Sequence, residues 1–219
     1  FTKSHIKTEN IEGVNIKKQL SVQQVKVWDV VVRILHWSLV NTFLTVFNTT
    51  HQANNIHIYG GYTILFLVCM RVIWGFIGSH HAKFKNFLRH PRYATSYVSE
   101  VFMGTQKYYV GHNPAGGFMV VILLACLTMT SLSGIKDHQQ RTGININGKS
   151  SINMNKTPGM TTSWVAIHHI LSTLTLMAIA IHLFAIILMS LVHNEILPYA
   201  MITGKKSPPG SGYTPDEKG

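Results

Sequence analysis

Four stretches of this chain run for most of a bilayer's thickness with almost no charge, and they limit the fold more than any other feature. A transmembrane helix needs about 20 mainly apolar residues. The first stretch runs from Val30 to Phe47 and is entered through Val27, Trp28, Asp29 and Arg33. The second runs from His57 to Ile77, and the fourth and longest from Trp164 to Val192. The third, Gly117 to Leu132, is the shortest, and its length also fits a buried or tilted helix. The expectation is an all-α integral membrane protein, a four-helix bundle over residues 26–206. A polar segment, residues 1–25, precedes it. The tail, residues 207–219, reads S-P-P-G-S-G-Y-T-P-D-E-K-G, too poor in apolar residues to fold alone. The connection from Ile135 to Ser163, rich in Asn, Gly, Ser and Thr, is long for a structureless loop, and such loops are often functional.

Charge then assigns the sides. The formal net charge is +11, which in a soluble chain would point to nucleic acid. Here the basic residues flank apolar runs, so their partner is membrane lipid and nucleic acid is excluded. An even number of spans puts both termini on one side. That side carries Lys3, Lys7, Lys17, Lys18, Lys26 and Arg33, the loop residues Lys83, Lys85, Arg89, Arg92 and Lys107, and the tail residues Lys205, Lys206 and Lys218. The other side has only Lys136, Arg141, Lys149 and Lys156, fourteen against four, with Arg71 inside the second span. The positive-inside rule places both termini in the cytoplasm. Cys69 and Cys126 lie inside apolar runs, and neither belongs to a C-x-x-C-H sequence, so covalent c-type haem attachment is excluded.

Thirteen histidines in so apolar a chain call for an explanation. Ionisable groups at membrane depth are costly and usually functional, and the spans hold His36, His57, His168, His169 and His182. Neutral imidazole is the usual axial ligand of a b-type haem. His168 and His182 are 14 residues apart, which on a helix returns the second to within about 40° of the first and separates them by ~21 Å. His169 lies about 140° round the helix from His182 and is disfavoured as a ligand. Depth selects the partners. His36, near the cytoplasmic start of the first span, matches His182; His57, at the outer start of the second, matches His168. Two pairs at two depths imply two b-type haems. The competing reading, buried histidines hydrogen-bonded between helices, fits one such residue better than four that agree in face, depth and pairing.

Arg33 and Arg71 sit near the membrane boundary, where a guanidinium can bind a haem propionate. Arg33 can equally pair with Asp29 four residues earlier or snorkel to the interface. Gly60, Gly61, Gly75, Gly116, Gly117 and Gly134 can admit a flat macrocycle to the backbone, or serve close helix packing. His112, before the third span, reads as a helix-entry or quinone-site residue. His80, His81, His90, His138 and His193 read as surface or interface residues.

Several ordered motifs carry a family resemblance: V-W-D-V-V-V-R-I-L-H-W at 27–37, I-H-I-Y-G-G-Y at 56–62, R-V-I-W-G-F-I-G at 71–78, Y-V-G-H-N-P-A-G-G at 109–117 and H-N-E-I-L-P-Y-A-M-I-T-G-K-K at 193–206. With the His168/His182 spacing, they make the chain resemble bacterial cytochrome b561 and the b-type cytochrome subunits of nickel–iron hydrogenases. The resemblance implies a four-helix bundle holding two b haems from the first, second and fourth helices, which carries ligand roles onto His36, His57, His168 and His182. It also implies residence in the bacterial inner membrane and electron exchange with quinone and a periplasmic partner, a c-type cytochrome or another redox subunit. The closing M-I-T-G-K-K looks more like the branch found with c-type cytochromes. A homo-oligomer is compatible with all of this. Two rival functions remain open at this level: a superoxide or ferric reductase or oxidase acting directly at the outer haem, and a non-redox membrane anchor of a complex.

Overall fold

The computed structural model describes residues 25–50, 55–80, 82–88, 90–105, 113–142, 163–193 and 197–206. The segment 1–24, the loop residues 143–162, His112, the His193 side chain and the tail 207–219 lie outside the described residues. Among those described, seven helices follow one another: α1 (Val30–Asn48), α2 (Asn55–Ile77), α3 (Phe84–Phe87), α4 (Pro91–Met103), α5 (Pro114–Thr142), α6 (Ser163–His193) and α7 (Leu197–Thr203). Two two-residue strands, β1 (Val25–Lys26) and β2 (Lys205–Lys206), pair antiparallel. Four helices, α1, α2, α5 and α6, are long and apolar enough to cross a membrane. Helices suit that environment because each satisfies its own backbone polar groups where no water reaches.

Three of the spans match the apolar stretches to within two residues, and the third does not. It is 29 residues long rather than short. Its apolar run ends near Leu132, but Ser133 to Thr142, including Lys136 and Asp137, continue the same helix. Hydropathy marks where a helix leaves the hydrocarbon, not where its backbone hydrogen bonding stops. Helix α4 was also unforeseen, although its caps are legible: His90 accepts from the Arg92 N–H, Pro91 opens the first turn, and Gly104 closes the helix at φ 70°.

The spans pack in a row. Helix α1 lies against α2, α2 against α5, and α5 against α6, and that last interface is the most extensive. Helix α6 makes no comparable interface with α1 or α2 among the described residues. A cleft is therefore left between α6 on one side and α1 and α2 on the other. Where α1 and α2 meet, Gly60 permits the approach, since a Cβ there would collide with the Val46 side chain.

At one end of the bundle the C-terminal segment is strapped to the start of α1. The N–H groups of Val27 and Trp28 donate to the Gly204 carbonyl at 2.9 and 3.2 Å. The Arg33 guanidinium donates to the Ile202 carbonyl, and the Trp37 indole N–H to that of Met201 at 3.4 Å. Gly204 has φ 78°, and a Cβ there would lie 2.8 Å from the Trp28 carbonyl oxygen. Asp29 caps α1, accepting from the Val32 N–H at 2.7 Å. Its other oxygen accepts from the Trp74 indole at 3.1 Å and from the Ser79 hydroxyl, tying α1 to the end of α2. Burial pushes the Asp29 carboxyl up, but the bonds from Ser79, the Val32 amide and Trp74, with the Arg71 charge, hold it below the usual carboxylate range.

Gly204→Ala places an L-residue in the left-handed region against a backbone oxygen, and is expected to lower stability by about 1–2 kcal/mol or more. Thermal unfolding of the purified protein in detergent measures it. Because the folded Asp29 carboxyl is the stronger acid, its contribution is complete above the unfolded value near 3.8 and is lost as pH falls through the lower folded value. Melting temperatures followed from neutral pH down through that range should drop more steeply for the wild type than for Asp29→Asn.

Candidate functional site

The cleft beside α6 is crossed by histidines at two levels. On the first level, His57 enters from the third position of α2 and His168 from the first turns of α6. Their ring centroids lie 6.3 Å apart, with the ring planes at 86°. His57 Nδ1 is 3.1 Å from the carbonyl oxygen of Val46 on α1. His168 Nδ1 is 3.1 Å from the Thr130 carbonyl and 3.0 Å from the Ser133 hydroxyl oxygen, both on α5. A carbonyl can only accept, so in both rings Nδ1 carries the hydrogen and Nε2 carries the lone pair. Gly134 makes room for the His168 ring, since a Cβ there would lie 2.9 Å from its Cε1.

The second level lies deeper along the same helices. His36 on α1 is half-buried and within electrostatic range of His182 on α6. Its edge meets the neighbouring Trp37 ring at 5.4 Å and 87°. Among the described residues, its buried Nδ1 has no hydrogen-bond partner. His36 and Val46, the residue level with His57, are ten positions apart on α1, which corresponds to ~15 Å of helix rise. Helix α1 thus also reaches both levels, over a shorter rise than the ~21 Å between His168 and His182 on α6.

Between the levels, on the same stripe of α6, sits Thr175, seven residues from each histidine and 1% exposed. Its hydroxyl donates to the Leu171 carbonyl at 2.8 Å and meets the Thr130 hydroxyl at 2.8 Å. Sequence reasoning did not single out Thr130, Ser133 or Thr175. The signal available was the cluster of small polar residues Thr128, Thr130, Ser131 and Ser133 within an otherwise apolar span.

The other candidates divide. Arg71 is 6% exposed, lies over the Phe84 ring at 5.3 Å and feels the Asp29 charge, while its buried NH1 has no partner among the described residues. Arg33 turns to Ile202 rather than to Asp29, whose oxygens serve Val32, Trp74 and Ser79, and its buried Nε has no partner among the described residues. Gly60 serves helix packing, whereas a Cβ on Gly61 would meet open space. His169 is exposed beside His168, away from the cleft partners.

These donors suit a haem. A haem asks the protein for one or two axial ligands, and among the described residues no three His, Cys, Asp or Glu side chains gather as a protein-only metal cage would require. The His57 and His168 imidazoles, with ring centroids 6.3 Å apart and a lone pair on each Nε2, are donors of the kind that would hold a haem.

Comparison with known proteins agrees. The family model described as prokaryotic cytochrome b561 matches residues 27–204, from the start of the strap on α1 through all four spans to Gly204. No curated protein and no solved structure matches the chain. With four membrane-length helices and a family match over most of its length, the chain belongs to the prokaryotic cytochrome b561 family, multi-pass bacterial membrane cytochromes of b type that carry electrons.

Proposed function

We propose that this cytochrome is a di-haem conduit, ligated by His57 with His168 at one level and His36 with His182 at the other. The observation that carries this reading is the 6.3 Å separation of the His57 and His168 rings across a cleft that α6 does not close against α1 or α2. A bound haem supplies a one-electron carrier that cycles between ferric and ferrous iron. The chain does the rest. Val46, Thr130 and Ser133 fix which ring nitrogen faces the metal. Gly134 leaves the space that the His168 ring occupies, and Gly61 borders open space. Arg33 Nε and Arg71 NH1 would be offered to the propionates, and their having no hydrogen-bond partner among the described residues supports that role.

The basic residues at the inner end support cytoplasmic termini. In that orientation His57 and His168 lie toward the periplasm and His36 and His182 toward the cytoplasm. Electrons pass between a periplasmic redox partner, such as a c-type cytochrome, and membrane quinone.

Alkaline pyridine haemochrome on the purified protein should give about two b haems per chain. Ala at His57 or His168 should reduce this to about one. Both haems surviving in both variants would remove the assignment. Gly134→Leu, which drives a side chain into the His168 ring, should mimic His168→Ala while leaving the His36 level loaded, as read from the same haem content.

A further inference from the structure

The two histidine levels differ in what stands behind the rings. His168 Nδ1 is placed between the Thr130 carbonyl and the Ser133 hydroxyl, and that hydroxyl itself donates to the Thr130 carbonyl at 2.8 Å. His57 Nδ1 faces the Val46 carbonyl. At the other level the buried His36 Nδ1 has no acceptor among the described residues. An imidazole whose far N–H is donated to a carbonyl is a more basic, more electron-rich ligand. Such a ligand stabilises ferric iron and lowers the potential.

Charge acts in the same direction. Near the other level, Arg33 lies one turn before His36 and favours the reduced state. Ser133 is 3% exposed, so the hydroxyl that completes the His168 arrangement is shielded from water that could replace it.

We infer that the Thr130 carbonyl and Ser133 act through His168 as positioning groups that make the His57/His168 site the lower-potential of the two. This rests on the ligand assignment proposed above. With both sites loaded, His57 and His168 would hold the group that gives up one electron and His36 and His182 the group that takes it up, so the transfer would need no further oxidant or reductant between them. The chain is thereby biased to receive electrons at the His57 end and to deliver them at the Arg33 end.

The test is a potentiometric titration of the haem-loaded protein, followed by absorbance, with haem content measured on each sample. The wild type should show two waves. His182→Ala, with one haem per chain, should retain the lower-potential wave, and His57→Ala, also with one haem, the higher. Ser133→Ala should move only the lower wave upward, and Ser133→Thr, which keeps the hydroxyl, should restore it. One haem in each histidine variant with the waves in reverse order, or coincident, overturns the inference and leaves the ligand assignment standing. A Ser133→Ala shift of the higher wave, or of neither, overturns it equally. Two haems remaining in both histidine variants overturns the assignment and the inference together.

Discussion

The interface between α5 and α6 holds the site in place. Within two apolar spans, the Thr130 and Thr175 hydroxyls meet each other, and the Thr130 carbonyl meets His168. Polar groups in hydrocarbon are costly unless paired, so this short network favours one rotation and one depth of α6 against α5. Thr175 shares the stripe of His168 and His182 on α6, so the rotation that satisfies Thr175 also fixes the direction of both histidines. In a bilayer, where apolar burial gives helices little reason to prefer one another over lipid, such directional contacts and close packing decide the arrangement.

The remainder of the bundle follows from where contacts are missing. Helices α1, α2, α5 and α6 pack as a row, and among the described residues α6 makes no extensive interface with α1 or α2, although the His57 and His168 rings meet across the gap. A bundle meant only to anchor a partner would gain by closing that cleft. Acceptors stand behind the rings of His57 and His168, and Arg33 and Arg71 carry buried guanidinium nitrogens without a hydrogen-bond partner among the described residues, a combination that supports the proposed cofactor site. At the end of the bundle where α1 begins, the strap from Val27 and Trp28 to Gly204, reinforced by Arg33 and Trp37, brings the C-terminal segment over the turn of α1 that bears His36.

Much of this was legible along the chain. Hydropathy located all four spans because the bilayer requires long apolar runs. The 14-residue spacing of His168 and His182 gave one face and two levels because helix geometry is fixed. The motif order from Val27 to Lys206 pointed to the family that the comparison supports over residues 27–204. The length of α5 was misjudged because its last turns are polar, and α4 was passed over although Pro91 and Gly104 mark its ends. Of the glycines, nothing local told Gly60, which meets Val46, from Gly61, which meets nothing.

The sequence by itself determined the spans, the charge asymmetry and the stripe of α6 that carries two histidines, since each depends on local composition or on the fixed pitch of a helix. The tertiary structure alone decided which groups stand behind those rings. Val46 lies eleven residues from His57, and Thr130 and Ser133 lie 38 and 35 residues from His168. Only the packing of α1 on α2 and of α5 on α6 brings them together. The unequal hydrogen bonding of the two histidine levels is likewise a property of helix packing, because a backbone carbonyl has no signature in the sequence.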